Sequence, residues 1–124
     1  MSCSFGRLAL PLLAVGFITA CVRVAVAAPV YVVDEVEVTD APVYRTYVER
    51  QVAAIKAAGG RFVVQGGALT SMSGAAPAPR VVIYIFESAE KLQAWRNGPE
   101  QQELIAIRDR SAHFRSFSVE ALPN

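Results

Sequence analysis

Cysteine occurs only at positions 3 and 21, histidine only at 113 and tryptophan only at 95 in this chain of 124 residues. Each scarcity removes a class of chemistry. Past Cys21 there is no thiol, so that part of the chain forms no disulfide, holds no thiolate-bound metal and offers no cysteine nucleophile. One histidine among scattered carboxylates is not a ligand set at recognisable spacing, and neither a metal nor a cofactor is expected. The Cys-x-x-Cys loop of small metallochaperones is absent as well. No glycine precedes a Lys-Ser or Lys-Thr pair and Gly-x-Gly-x-x-Gly does not occur, which excludes the phosphate-cradling loops. Ser71, Ser73, Ser111, Ser116 and Ser118 stand in neither a nucleophile-elbow nor a Ser-x-x-Lys setting, and read as loop and strand residues. An excess of one charge is also lacking: 12 basic residues face 11 acidic ones.

What is present begins with a leader. Arg7 is followed by the apolar run "LALPLLAVGFITACV" and then by "AVAA" at 25–28. This is the layout of a secretory signal, and Ala25-Val26-Ala27 supplies the small side chains that a cut before Ala28 requires. We therefore expect a signal peptide over 1–27 and a folded domain over 28–124, periplasmic or secreted. The alternative is a lipoprotein leader over 1–20, since "ITAC" at 18–21 resembles a lipobox with isoleucine in place of the usual leucine. Lipidation of Cys21 would then anchor the chain in the cell envelope, and membrane association is expected only in that case. The run is short for a spanning helix and is interrupted by Pro11. Removing 1–27 takes away Arg7 and Arg23 and leaves a net charge of about −1.

In the remaining chain, "PVYVVDEVEV" at 29–38 is rich in β-branched residues with valines on both sides of the alternation, the pattern of a strand buried on much of both faces. Asp40 is a good N-cap and Pro42 suits a first helical turn. Val43, Tyr47, Val48, Val52 and Ile55 then recur at helical spacing until Gly59-Gly60. "RFVVQ" at 61–65 is a second strand, and 66–79 is a Gly/Ala/Ser/Pro-rich connection. "RVVIYIFE" at 80–87 holds six consecutive apolar or aromatic residues between charged ends. Ser88 caps a second helix with Leu92 and Trp95, broken at Asn97-Gly98-Pro99 before continuing through Arg108. "HFRSFSVEAL" from His113 closes the chain as a fourth strand.

The order β-α-β-β-α-β predicts an α+β, ferredoxin-like domain, a four-stranded antiparallel sheet with two helices on one face. Two helices cover one face only. The other is left with either Val82, Tyr84 and Phe86 or Val81, Ile83 and Ile85, an apolar layer larger than soluble monomers show. A homodimer through the open sheet face is the simplest cover. The same topology hosts RNA-binding domains, but the third strand has no glycine and no interior charge, so no nucleic-acid partner is expected.

The segments "YVVDEVEVTD", Tyr44 and Tyr47, "GGRFVVQGG", "PRVVIYIFESAE" and "AWRNGPEQQELIAIRDRSA" resemble, in order and spacing, the bacterial family catalogued as domain of unknown function 1330, over about Pro29 to Leu122. The resemblance implies a ferredoxin-like fold forming a dimeric α/β barrel, similar in shape to small cofactor-free monooxygenases and isomerases, and implies no established activity. Gln65 stands where an arginine is common in that family, and Ile85 and Glu87 stand where a glutamate and a proline often flank the phenylalanine. The charged pair that those positions would give a pocket is therefore missing.

Candidate pocket residues are Tyr31, Tyr44, Tyr47, Trp95 and His113, with Tyr84 beside them, whose polar tips suit a small carbonyl or aromatic compound. Arg80 and Arg115 are candidate anion-binding residues. Two functions remain open. One is a dimeric small-molecule-binding or structural module; the other is a cofactor-independent monooxygenase or isomerase acting on a small apolar or aromatic substrate in a pocket enclosed by the dimer. The enzyme requires an enclosed cavity of a few hundred Å³ with His113 or a tyrosine hydroxyl facing inward.

Overall fold

A computed structural model describes residues 25–123 of the chain. The apolar run near the N-terminus and Cys21 lie outside the described residues, and 25–29 have no regular structure. The elements run in the order β1 (Val30–Val38), α1 (Ala41–Ala57), β2 (Arg61–Gln65), β3 (Arg80–Phe86), α2 (Ala89–Arg96), α3 (Pro99–Ser111) and β4 (Ala112–Glu120). No described helix is long and apolar enough to cross a membrane.

The helix ends are set by local chemistry. The Asp40 side chain accepts a hydrogen bond from the Val43 amide at 3.1 Å, and α1 stops where Gly59 takes a positive φ of 84°. Ser88 likewise accepts from the Lys91 amide at 3.2 Å. Asn97 closes α2, Gly98 caps α3, and Pro99 occupies its first turn. The predicted break is thus complete. Where the sequence suggests one interrupted helix there are two, because Pro99 has no amide to continue the ladder and suits only a first turn.

The strands pair in the order β2-β3-β1-β4, antiparallel throughout. This is the predicted ferredoxin-like sheet, open at both edges, with β4 along one of them. Register decides which half of "RVVIYIFE" faces the helices. Tyr84 and Phe86 are buried, with Val82 packed against them, whereas Val81, Ile83 and Ile85 lie on the opposite, open face.

The core is in two parts. Val30, Val32, Ile55, Tyr84, Phe86 and Leu92 make one cluster; Val36, Tyr44, Tyr47, Leu104 and Ala112 make the other. The residue between them on the same face of β1 is Asp34. Close packing at the first cluster explains one glycine. A methyl group on Gly60 would meet Ile55 Cγ2 at 2.6 Å, Ile55 O at 3.0 Å and Phe86 Cζ at 3.1 Å. Gly60→Ala should therefore destabilise the domain by about 1–3 kcal/mol through overpacking, read as a lower urea midpoint with an unchanged slope.

Candidate functional site

Asp34 is 7% exposed on a strand face otherwise made of Val30, Val32 and Val36. It sits at the seam between the two core clusters, where the helices do not close over the sheet. A cleft of about 180 Å³ opens there. Val32 and Asp34 of β1, Tyr84 of β3 and Ser116, Phe117 and Ser118 of β4 form its sheet side. Tyr47 and Gln51 of α1, Leu92, Trp95 and Arg96 of α2, and Gln101, Ile105 and Arg108 of α3 form its helix side.

Burial dominates the electrostatics. Loss of hydration raises the Asp34 carboxyl above its ordinary 3.8; the hydroxyls of Ser116 and Tyr84 and the more distant charge of Arg108 oppose the shift without cancelling it. Ser116 is the cross-strand partner of Asp34. Burial also raises the Tyr47 and Tyr84 phenols, reinforced in both cases by the Asp34 charge, so both stay protonated and act as donors. The Arg108 guanidinium is engaged by Asp109 Oδ1 at 2.8 Å and lies 5.1 Å from the Phe114 ring centre. The Trp95 ring packs edge-on to Tyr84 at 5.8 Å and tilted against Phe86 at 5.4 Å. Its Nε1 is the buried side-chain polar atom without a partner among the described residues.

Two amides join the helix side. Gln101 Nε2 donates to Gln51 Oε1 at 3.1 Å, linking α3 to α1 across the buried end of the cleft. Gln101→Leu leaves the Gln51 amide buried without its partner and should cost about 1–3 kcal/mol. Changing Gln51 to Leu as well should recover most of that loss, which a double-mutant cycle in urea measures.

The sequence candidates do not all meet. Tyr47 and Trp95 line the cleft, as does Tyr84. Tyr44 is buried beside Tyr47, with ring centres 5.9 Å apart, in the core rather than the cleft wall. Tyr31 faces the other side of the sheet, opposite Ile85 and Val119. His113 lies opposite Glu37 on that same open face, in a shallow depression shared with Glu35, Arg115 and Ala75–Ala78 of the β2–β3 connection. Arg115 pairs with Glu35, which occupies the charge proposed for an anion. Arg80 lies 6.0 Å from the Tyr44 ring centre and donates to Gln65 O at 3.4 Å.

Sequence reasoning passed over Asp34, Gln51, Gln101 and Arg108. One signal for Asp34 was available: it shares the parity of Val30, Val32 and Val36, so the face that buries them buries a carboxyl too. Among the described residues, no three His, Cys, Asp or Glu side chains cluster as a metal site.

The family profile described as Domain of unknown function (DUF1330) matches residues 29–122. The chain belongs to this family. The span agrees with the resemblance in the sequence. No curated protein matches the chain. Among solved structures, this DUF1330 domain is similar to a Rhodopseudomonas palustris protein of unknown function, with a TM-score of 0.65 and 17% identity over 78% of this chain and 85% of the other. It is similar also to SnoaB, a cofactor-independent oxygenase from Streptomyces nogalater, with a TM-score of 0.54 and 17% identity over 79% of this chain and 100% of the other. A third is a Bacteroides thetaiotaomicron protein of unknown function described as a possible oxidoreductase, with a TM-score of 0.52 and 14% identity over 76% and 98%. At these identities the likeness is one of fold.

Proposed function

We propose that this DUF1330 domain binds a small, largely apolar molecule in the cleft between sheet and helices and exchanges a proton with it through Asp34. The carrying observation is the position of that carboxyl: buried on a valine face, at an opening rather than in closed packing, with its proton held above the usual pH range. A structural carboxyl is normally solvated or tightly paired with a cation. One kept dry beside a cavity suits proton transfer to or from a bound carbon or oxygen acid. Tyr47 and Tyr84 supply phenol donors that can hold a carbonyl or enolate oxygen, and Leu92, Trp95 and Ile105 supply the apolar wall.

Proton removal next to a carbonyl is the shared first step of isomerisation and of several oxygen additions that use no cofactor, so the reading belongs to the isomerase or oxygenase class. The activity of SnoaB is that of another protein with this fold and gives the oxygenase branch modest support. The reading includes pairing of two copies through the open sheet face, which leaves the cleft on the outer, helix-covered side of each copy.

Trp95 is the lone tryptophan of the chain and it lines the cleft, so its emission reports occupancy. Titration with neutral aromatic carbonyl compounds such as benzamide should change that emission saturably, with Kd of about 1 mM or below, some −4 kcal/mol. Emission that responds to none of them, while the fold is intact by circular dichroism, would remove the cleft as a ligand site.

A further inference from the structure

The charges around the cleft are unequal. Two guanidiniums, those of Arg96 and Arg108, stand in its lining against the single carboxyl of Asp34. Arg108 is committed to Asp109 and to the face of Phe114. Arg96 is not: among the described residues it makes no side-chain hydrogen bond and no ion pair, a state it shares with other surface cations such as Arg45 and Arg61, and what sets it apart is its place in the lining of the cleft. Arg96 occupies the last turn of α2, where a cation also suits the helix dipole. The dipole accounts for a basic residue there. It leaves the guanidinium's planar donor fork, which matches a carboxylate, without an acceptor at the mouth of a cavity.

We propose that the ligand of this cleft is a small organic acid, an aromatic or branched carboxylate, whose anionic end is held by Arg96. This rests on the reading of the cleft as a ligand site and names the class of molecule that fits it. The apolar body lies along Leu92, Trp95 and Ile105, and the carboxylate stays at the wet rim, where one guanidinium pairs with it without the cost of full burial. The interior end meets the phenols and Asp34. Burial shifts the Asp34 carboxyl toward its protonated form, which lessens its repulsion of an incoming anion. The volume agrees with this class. A cleft of about 180 Å³ falls below the roughly 300–1,000 Å³ of sites for drug-sized ligands, which suits one ring with a short polar substituent.

Three probes with one ring and different charge test this: benzoate, benzamide and benzylamine, added to the full chain near neutral pH, with the Trp95 indole resonance followed by NMR. Benzoate should bind about tenfold tighter than benzamide at low salt, and benzylamine should not bind. Added salt should narrow the gap, because the Arg96 side of the cleft is exposed to solvent. Arg96→Gln should bring benzoate down to the benzamide level and leave benzamide binding and the far-ultraviolet spectrum unchanged. Equal affinity for benzoate and benzamide, or a preference that survives Arg96→Gln, overturns the assignment of the acid while leaving the cleft as a site for neutral molecules. If none of the three probes moves Trp95, the ligand-site reading falls and this proposal with it.

Discussion

Asp34→Asn should make the domain more stable at neutral pH and remove the proton exchange proposed for it. Burial raises the Asp34 carboxyl above its ordinary 3.8 in the folded chain. Below that ordinary value both folded and unfolded chains carry the proton, and its full contribution to stability is present. As pH rises, the unfolded chain releases the proton first. Stability therefore falls across the window from about 3.8 to the raised folded value, and stays lower beyond it. Each unit of the shift is worth about 1.4 kcal/mol. Asparagine keeps the shape and has no proton to lose, so the slope should vanish. The variant should melt higher near neutrality by about 4–8 °C for each kcal/mol recovered in a domain of this size.

The exposed carboxylates Glu87 and Glu103 are shifted downward by Lys91 and Arg50 and act in the opposite direction. Both are common to the two proteins and cancel in the difference. Thermal melts of parent and variant between pH 3 and 9 check the sign. If the curves run parallel, or asparagine melts lower near neutrality, Asp34 is an ionised, paired group and its proton role is lost. For activity, the variant should keep the Trp95 response to bound ligand while turnover drops by about 10²–10⁴-fold, the usual range for a positioned acid or base. Loss of binding together with turnover would point to a folding role.

The elements were legible because each is punctuated by residues with one favoured conformation. Asp40, Gly59 and the Asn97-Gly98-Pro99 break stand where capping and turn chemistry place them. The site was less legible for two physical reasons. Alternation in β1 is ambiguous, since Val33 is half-buried on one face while Val30, Val32 and Val36 are buried on the other. Asp34 therefore could not be placed under the helices until the register with β3 and β4 was known. The Gln51–Gln101 bond joins residues 50 positions apart and exists only through the packing of α1 on α3, which no local pattern encodes. His113 shows the converse. It stands among the candidate pocket residues at the start of the last strand, and one step of strand parity puts it on the other side of the sheet, opposite Glu37.

That other side carries the second large prediction. If two copies pair through the open face as proposed, the parent should sediment as two chains and Ile83→Lys as a single folded chain. The open face divides along its length. Its polar end holds Glu35 with Arg115 and Glu37 opposite His113, and Ala75–Ala78 of the β2–β3 connection lie against it. Its apolar end brings Tyr31, Val33, Ile83 and Ile85 into direct cross-strand pairs, flanked by Phe117 and Val119, which are 48% and 55% exposed. Each large side chain taken from water into a second copy contributes about 1.5–3 kcal/mol if fully buried. Tyr31, Val33, Ile83 and Ile85 are already half-buried in the single chain, so their further burial, with that of Phe117 and Val119 from both copies, is set against the roughly 4–15 kcal/mol that association costs. In a two-fold interface one substitution enters twice. An ammonium group at Ile83 would lack a partner in the pair, at a cost of about 3–5 kcal/mol for each uncompensated charge. In the single chain the same group reaches water, so the fold should survive. Glu49→Lys, on the exposed side of α1, introduces the same ammonium away from the sheet and should leave the mass doubled. A parent chain that stays single and well folded at high micromolar concentration, by sedimentation and circular dichroism, would show instead that this apolar layer is stable in water.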